Sequence, residues 1–290
     1  MNKIKIWVEA MRLRTLPVSL AGVIFAIAMA RAAGSVPAVP ALLCLGFALL
    51  AQIASNFANE YYDYKAGLDK AGREGPRRGV TEGDITPGAM KAATFATLGL
   101  ACAAGCVLVA LYGQWWMYII GVVTAFAVMA YSTGPYPLSH HCLGEVAVVF
   151  FFGIIPVSLT YYIETGLMSA ATVAASVGIG LMGANVLVVN NYRDADDDAA
   201  VGKNTLAVKI GRRATGIIYL VNGIVAVVLT WPVWLELPPQ DWIVPTVYLG
   251  AHVALYFRLR THRGRELNKQ LGMTAVLMLF YAAGYFLSVI

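Results

Sequence analysis

Two stretches of this sequence place amide and carboxylate side chains four residues apart. In the first, Asn56-Phe57-Ala58-Asn59-Glu60-Tyr61-Tyr62-Asp63, Asn59 and Asp63 share one face of a helix, and Asp69 follows. In the second, Asn190-Asn191-Tyr192-Arg193-Asp194-Ala195-Asp196-Asp197-Asp198, one face carries Asn190, Asp194 and Asp198. Carboxylates stacked in this way repel one another, and a divalent cation would relieve the strain. Hard oxygen donors suit Mg²⁺, which keeps several waters and binds through one or two carboxylates plus substrate phosphates. Two facing half-sites could hold a diphosphate, with Arg77, Arg78, Arg193 and Lys203 near its remaining oxygens. One acidic cluster alone reads better as a solvated helix end, since charges at helix ends are common. The repeat of Asn-x-x-x-Asp at an offset of 131 residues favours a paired metal site and suggests a four-helix internal duplication.

Both clusters follow apolar runs, so a membrane-embedded scaffold must position them. The chain has 290 residues, of which 59% are hydrophobic and 13% charged, and a soluble core cannot absorb that much apolar surface. Gaps between charges predict nine helices: Leu16–Ala33, Pro40–Ala58, about 90–111 and 115–132, Leu143–Ile163, Ser169–Asn190, Ala214–Leu235, Trp242–Phe257 and Leu271–Ile290. With this count, twenty of the 21 Lys and Arg residues fall on one side, including Lys70 and Arg73, and only Arg31 falls opposite. The positive-inside rule then predicts a cytoplasmic N-terminus, an outward C-terminus, and both acidic motifs on the cytoplasmic face. The net charge of +5 follows from topology and does not call for nucleic acid as a partner. Ala28-Met29-Ala30 resembles a signal-peptidase site, but the first run is read as a retained membrane helix. Cys102 and Cys106, one turn apart in an apolar run, are expected to be packing residues, with no metal or redox role.

These motifs carry a resemblance. The chain resembles the UbiA-type intramembrane prenyltransferases, most closely the branch acting on 1,4-dihydroxy-2-naphthoate. The matching stretches include Trp7 to Pro17, the first acidic motif with Gly67-Leu68-Asp69, Gly75-Pro76-Arg77-Arg78-Gly79 and Gly144-Glu145. The second acidic motif followed by Gly202-Lys203-Asn204-Thr205-Leu206 is the most specific of them. The interval of six from Asp63 to Asp69 resembles the naphthoate branch; relatives using 4-hydroxybenzoate typically have four. Glu60 stands where many members have Asp, and it is expected to point off the Asn59/Asp63 face.

The resemblance implies an all-α fold, a single integral-membrane domain over 1–290 with nine helices around a lipid-facing cavity. Cytoplasmic loops at about 62–89 and 191–213 would cap it. It implies Asn59, Asp63, Asn190, Asp194 and Asp198 as holders of Mg²⁺ and diphosphate, with Arg77, Arg78, Arg193 and Lys203 assisting. The implied substrates are a polyprenyl diphosphate and 1,4-dihydroxy-2-naphthoate, in menaquinone biosynthesis, with membrane lipid around the fold. Neutralising the leaving group lets the allylic C–O bond ionise, and a water-free cavity protects the cation until the electron-rich ring attacks. Asp69, Tyr131 and Glu145 are the candidates for handling the ring proton. The loop containing His140 and His141 lacks the Lys or Arg that relatives often have there, and these histidines could replace it. Transfer to 4-hydroxybenzoate, homogentisate or a haem is the alternative within the family. A secondary transporter is the alternative outside it, disfavoured because the acids lie at one membrane face and not at the midplane.

Overall fold

The computed structural model describes residues 3–34, 36–69 and 74–290; Lys70 and Arg73 lie outside them. The described residues are helical throughout their regular structure: α1 Lys3–Ala10, α2 Leu16–Ala33, α3 Ala38–Lys65, α4 Pro87–Tyr112, α5 Met117–Ala130, α6 Gly144–Val148, α7 Ile155–Thr165, α8 Ala170–Ala200, α9 Leu206–Trp234, α10 Ile243–Thr261 and α11 Leu267–Ser288. Helix ends follow local chemistry. Thr86 caps α4 by accepting from Ala89 N–H, with Pro87 in the first turn, and Ser169 caps α8 by accepting from Thr172 N–H.

Among the described residues, seven helices are long and apolar enough to cross a membrane. Two further helices fill predicted spans without meeting that standard. Met117–Ala130 has only 14 residues. Ile243–Thr261 carries His252, Arg258 and Arg260, which lower its hydropathy. The helix positions agree with the charge gaps, and among the described residues seven of the nine predicted spans meet that standard of length and composition.

The larger departure lies at the membrane edge. Helix α3 runs on to Lys65 and α8 to Ala200, so both acidic motifs are helical to their ends. The predicted caps at about 62–89 and 191–213 shrink accordingly. Residues 201–205 alone separate α8 from α9, which continues through a left-handed Gly211 (φ 76°). Backbone hydrogen bonding persists past the last apolar residue because each charged side chain of the motif finds a neighbour, as described below.

Helix α2 packs inside the bundle, where Ala21, Phe25, Ala26 and Ala28 are fully buried against α7, α8 and α11. Helices α4 and α5 lie at the periphery, and Trp115, Val122 and Phe126 are about 70% exposed, as lipid-facing side chains are. That placement corrects the expectation for Cys102 and Cys106. Both are exposed, and both lie along the wall of the cavity described below, beside Leu98, Gly105 and Val109 of the same helix.

Between α6 and α7 the chain makes a π-turn, Val149–Ile154. Pro156 has no N–H to donate to the Phe152 carbonyl, and the wider turn accommodates that gap. The bulge is packed tightly: a Cβ on Gly153 would lie 2.4 Å from the Gly180 Cα, so α8 can approach this closely only at paired glycines.

Candidate functional site

The polar loops at one end of the bundle converge on a cavity of about 910 Å³. Its walls are mainly apolar, from Val23, Phe47, Leu108, Met117, Phe151 and Leu159 among others. Its polar end is lined by Arg12, Asn59, Arg78, Asn190, Asp194, Asp198 and Lys203. A long apolar chain with an anionic head would match this distribution.

Helix α3 supplies the first half of the site. Gln52, Asn56, Asn59 and Asp63 form one stripe along it, and all four are buried. The Asn59 Oδ1 accepts from Arg12 Nη2 and from Arg78 Nη2 (3.0 Å), while its Nδ2 donates to Ser132 Oγ (3.1 Å). Asn56 donates to the Met11 carbonyl at 2.9 Å, tying the turn before α2 to the same stripe. Arg12 sits in that turn with φ 54°, a left-handed conformation unusual for a non-glycine, and the turn aims it at Asn59. Asp63 has Arg78 at 3.9 Å, Lys203 Nζ at 3.7 Å and His140 Nε2 at 3.7 Å, yet its buried Oδ1 accepts no hydrogen bond.

Helix α8 supplies the second half. The buried Arg193 grips Asp194 through Nε (2.6 Å) and Nη2 (2.7 Å), and Nη2 also donates to Asn190 Oδ1 at 2.8 Å. Its Nη1 donates to Asn268 Oδ1 at 2.9 Å. Asp198 is buried at the cavity wall, whereas the Asp196 side chain is 87% exposed and pairs with Arg212. Lys203, carried on the short connection after α8, reaches across to Asp63 of the first half.

The expected residues are therefore together, but their counter-charges differ from the expectation. Guanidinium groups of Arg12, Arg78 and Arg193 already relieve the crowding of oxygens that a cation was expected to relieve. Among the described residues, no three His, Cys, Asp or Glu side chains cluster closely enough to bind a metal alone. Arg77 is half in solvent and paired with Asp84, while Arg78 is buried and pairs with Asp69 at 3.3 Å. Glu60 is turned away from the cavity as expected, accepting from the Val80 amide (3.1 Å) and so anchoring the cap loop. His140 faces Asp63; His141 instead stacks on Tyr136 with centroids 3.6 Å apart and shapes its own loop.

Glu145 and Tyr131 both line the cavity. The Glu145 Oε1 accepts from Asn191 Nδ2 at 2.8 Å, and its buried Oε2 has no partner. Burial, reinforced by the nearby carboxylates of Glu145 and Asp63, pushes the Tyr131 phenol well above its ordinary value. The Tyr131 phenol therefore holds its proton.

Residues not singled out as site residues from the sequence include Gln52, Asn56, Arg12, Asn191 and Asn268. Gln52 and Asn56 were detectable as a backward continuation of the Asn59/Asp63 spacing, and Arg12 as a cation in the conspicuous Arg-Leu-Arg-Thr-Leu-Pro stretch. Asn268, 75 residues from its partner Arg193, had no local signal.

Known proteins place this arrangement. The model of the UbiA prenyltransferase family matches residues 19–287. A 1,4-dihydroxy-2-naphthoate octaprenyltransferase of Mycobacterium tuberculosis is 35% identical over 95% of this chain and 94% of its own length. The enzyme of that name from Escherichia coli is 36% identical over 72% of this chain and 70% of its own. A UbiA homolog from Archaeoglobus fulgidus, solved bound to GPP and Mg²⁺, superposes with a TM-score of 0.68 at 14% identity, over 98% of this chain and 99% of that one. A homolog from Aeropyrum pernix, solved without ligand, gives 0.72 at 15% identity over 94% and 98%. With the family model spanning nearly the whole bundle and both half-sites, this integral membrane chain belongs to the UbiA prenyltransferase family.

Proposed function

We propose that this protein transfers a polyprenyl chain from an allylic polyprenyl diphosphate to 1,4-dihydroxy-2-naphthoate, releasing diphosphate and CO₂ and giving demethylmenaquinol. The observation that carries the reading is an apolar cavity closed at its polar end by two Asn-x-x-x-Asp helix ends. The relatives named for this acceptor, one of them aligned over almost the whole chain, support its identity.

The donors fit Mg²⁺. The Asp63 Oδ1 is buried without a hydrogen-bond donor, and Asp194, Asp198 and the amide oxygen of Asn190 offer further hard ligands nearby, while the Asn59 oxygen is already taken by Arg12 and Arg78. With no three acids clustered among the described residues, substrate phosphates would complete the coordination, as is usual for this ion. When bound, Mg²⁺ supplies positive charge against the charge that develops on the leaving diphosphate. Arg12 and Arg78 hold the Asn59 carbonyl in place, Arg193 fixes Asp194, and Lys203 adds a mobile point charge at the junction. Arg77 is a rim residue that can leave Asp84 for a phosphate oxygen. The apolar walls keep water from the allylic carbon while the C–O bond breaks.

Of the three candidates for the proton, Glu145 is favoured. Asp69 is held by Arg78, and Tyr131 keeps its proton; only Glu145 presents an unpartnered carboxylate oxygen to the cavity. It would accept the hydroxyl proton as the ring attacks. Glu145→Gln is accordingly expected to lower kcat by on the order of 10²-fold, with the KM for prenyl diphosphate unchanged. Tyr131→Phe is expected to cost less. Steady-state kinetics on purified variants would decide, and a Glu145→Gln enzyme with wild-type kcat would remove the residue from the mechanism.

We place the site on the cytoplasmic side of the cytoplasmic membrane, with the C-terminus outside, on the segregation of basic residues. A phosphatase fused after Ile290 should then be active in a bacterial periplasm, and one inserted after Gly83 inactive. The opposite pattern would invert the topology.

A further inference from the structure

Both halves of the site are braced by arginines, but each arginine braces one half. Arg78 touches Asn59, Asp63 and Asp69 of the first, and Arg193 touches Asn190 and Asp194 of the second. Something must fix the two braces relative to one another, because a diphosphate held between the halves tolerates little error in their separation. Lys203 does this only through a flexible stem at 3.7 Å.

A second connection runs through the first turn of α11. The side chain of Asn268 accepts from Arg193 Nη1 at 2.9 Å and donates through Nδ2 to the Glu74 carbonyl at 3.1 Å. Glu74 is further held by its amide, which donates to Asp197 Oδ2 at 3.2 Å, and by Arg265 at 3.9 Å from its carboxylate. From Glu74 to Arg78 are four residues of chain, which reach at most about 14 Å. Fixing Glu74 therefore limits where Arg78 can go.

We infer that Asn268 is a positioning residue that sets the spacing of the two acidic half-sites, by holding Arg193 with its carbonyl and the Arg78-bearing loop with its amide. The inference rests on the functional reading above, and it assigns a working role to a side chain outside both motifs. The amide matters because one planar group offers an acceptor and a donor in opposite directions. Arg193 is itself buried, with four of its five N–H donors engaged, so losing the Asn268 carbonyl strands a buried donor and frees the guanidinium to tilt away from Asp194.

The test compares wild type with Asn268→Leu, which removes both arms at similar volume, and Asn268→Asp, which keeps an acceptor for Arg193 but has no donor for Glu74. Hydrogen exchange of the detergent-solubilised protein, without Mg²⁺ or substrate, reads the loop directly. Both variants should exchange faster over residues 74–80 than wild type, by roughly tenfold. With Mg²⁺, Asn268→Leu should raise the KM for polyprenyl diphosphate and the half-saturating Mg²⁺ concentration by roughly tenfold, leaving the KM for the aromatic acceptor within about twofold. Asn268→Asp should fall between the two. Unchanged exchange over 74–80 in both variants would overturn the latch. So would equal shifts in the KM of both substrates accompanied by a lower Tm, the signature of a merely structural role. If the wild-type protein transfers no prenyl group, the functional reading fails separately, and the exchange comparison still decides whether the loop is latched.

Discussion

Asp63→Asn is expected to reduce prenyl transfer by on the order of 10²- to 10³-fold in a protein that remains folded. The substitution preserves shape and removes one charge. Because the Asp63 Oδ1 accepts no hydrogen bond, the amide strands no donor there, and the neighbouring Arg78, Lys203 and His140 all stand 3.7 to 3.9 Å away. What is lost is a buried anionic oxygen of the first half-site, set against the cavity-lining Arg78 and Lys203. Asp194→Asn should be at least as damaging to turnover, but it also breaks the close pair with Arg193. Leaving a buried guanidinium uncompensated costs about 3–5 kcal/mol, so its effect on folding has to be measured alongside. Asp196→Ala supplies the control. That side chain is 87% exposed and pairs only with Arg212 at the surface, and its removal should leave turnover within about twofold. Near-normal turnover of Asp63→Asn, or turnover of wild type in excess chelator, would defeat the paired-site model.

The positions of the helices were legible because charge is excluded from hydrocarbon. Gaps between charged residues mark the helices, the long one over 92–139 holding both α4 and α5, and Leu16–Ala33 appears in the structure with the same bounds. The length of α3 and α8 beyond the membrane was not legible. A sequence-based boundary falls where hydropathy falls, yet these residues stay helical: Glu60 and Asp63 are held by other segments, and Arg193 and Asp194 by each other, with Arg193 also bonded to Asn268. Within the acidic motifs the four-residue spacing identified the right face, and Asn59, Asn190, Asp194 and Asp198 do line one cavity. The arginines that neutralise them were harder to assign. Where the positive-inside reading assigns twenty basic residues to one side, topology accounts for every one of them equally well. Arg12 differs from Arg14 only by a left-handed backbone that turns it inward, a feature that pattern alone does not carry. Asn268 is the extreme case, an unremarkable amide whose partners lie 75 and 194 residues away.

With Mg²⁺ and a polyprenyl diphosphate, the purified protein is expected to consume 1,4-dihydroxy-2-naphthoate and release one CO₂ and one diphosphate for each chain transferred. The stoichiometry follows from the position of the carboxyl group. In this acceptor the carboxylate sits on a carbon beside a hydroxyl. Alkylation at that carbon leaves the hydroxyl oxygen as a ketone, and the resulting β-keto acid loses CO₂ as the ring regains aromaticity. The hydroxyl proton passes to Glu145 on attack and returns once CO₂ has left, so no net proton is exchanged. In 4-hydroxybenzoate the carboxyl lies across the ring from the hydroxyl, and alkylation beside the hydroxyl leaves it in place. The acceptor's carboxylate also needs a cation at the mouth, where Arg14 and Arg77 stand at the cavity rim. A site that takes a bicyclic ring would leave a single ring unsupported on one side. The kcat/KM for 4-hydroxybenzoate should therefore be lower by on the order of 10²-fold, with no CO₂ released. Radiolabel in the carboxyl carbon reads both points in one assay, as label lost to gas against label retained in the lipid product. Retained label with 4-hydroxybenzoate as the better substrate would reassign the acceptor while leaving the helix bundle and its diphosphate chemistry intact, because neither Asp63 nor Asp194 touches the ring in this mechanism.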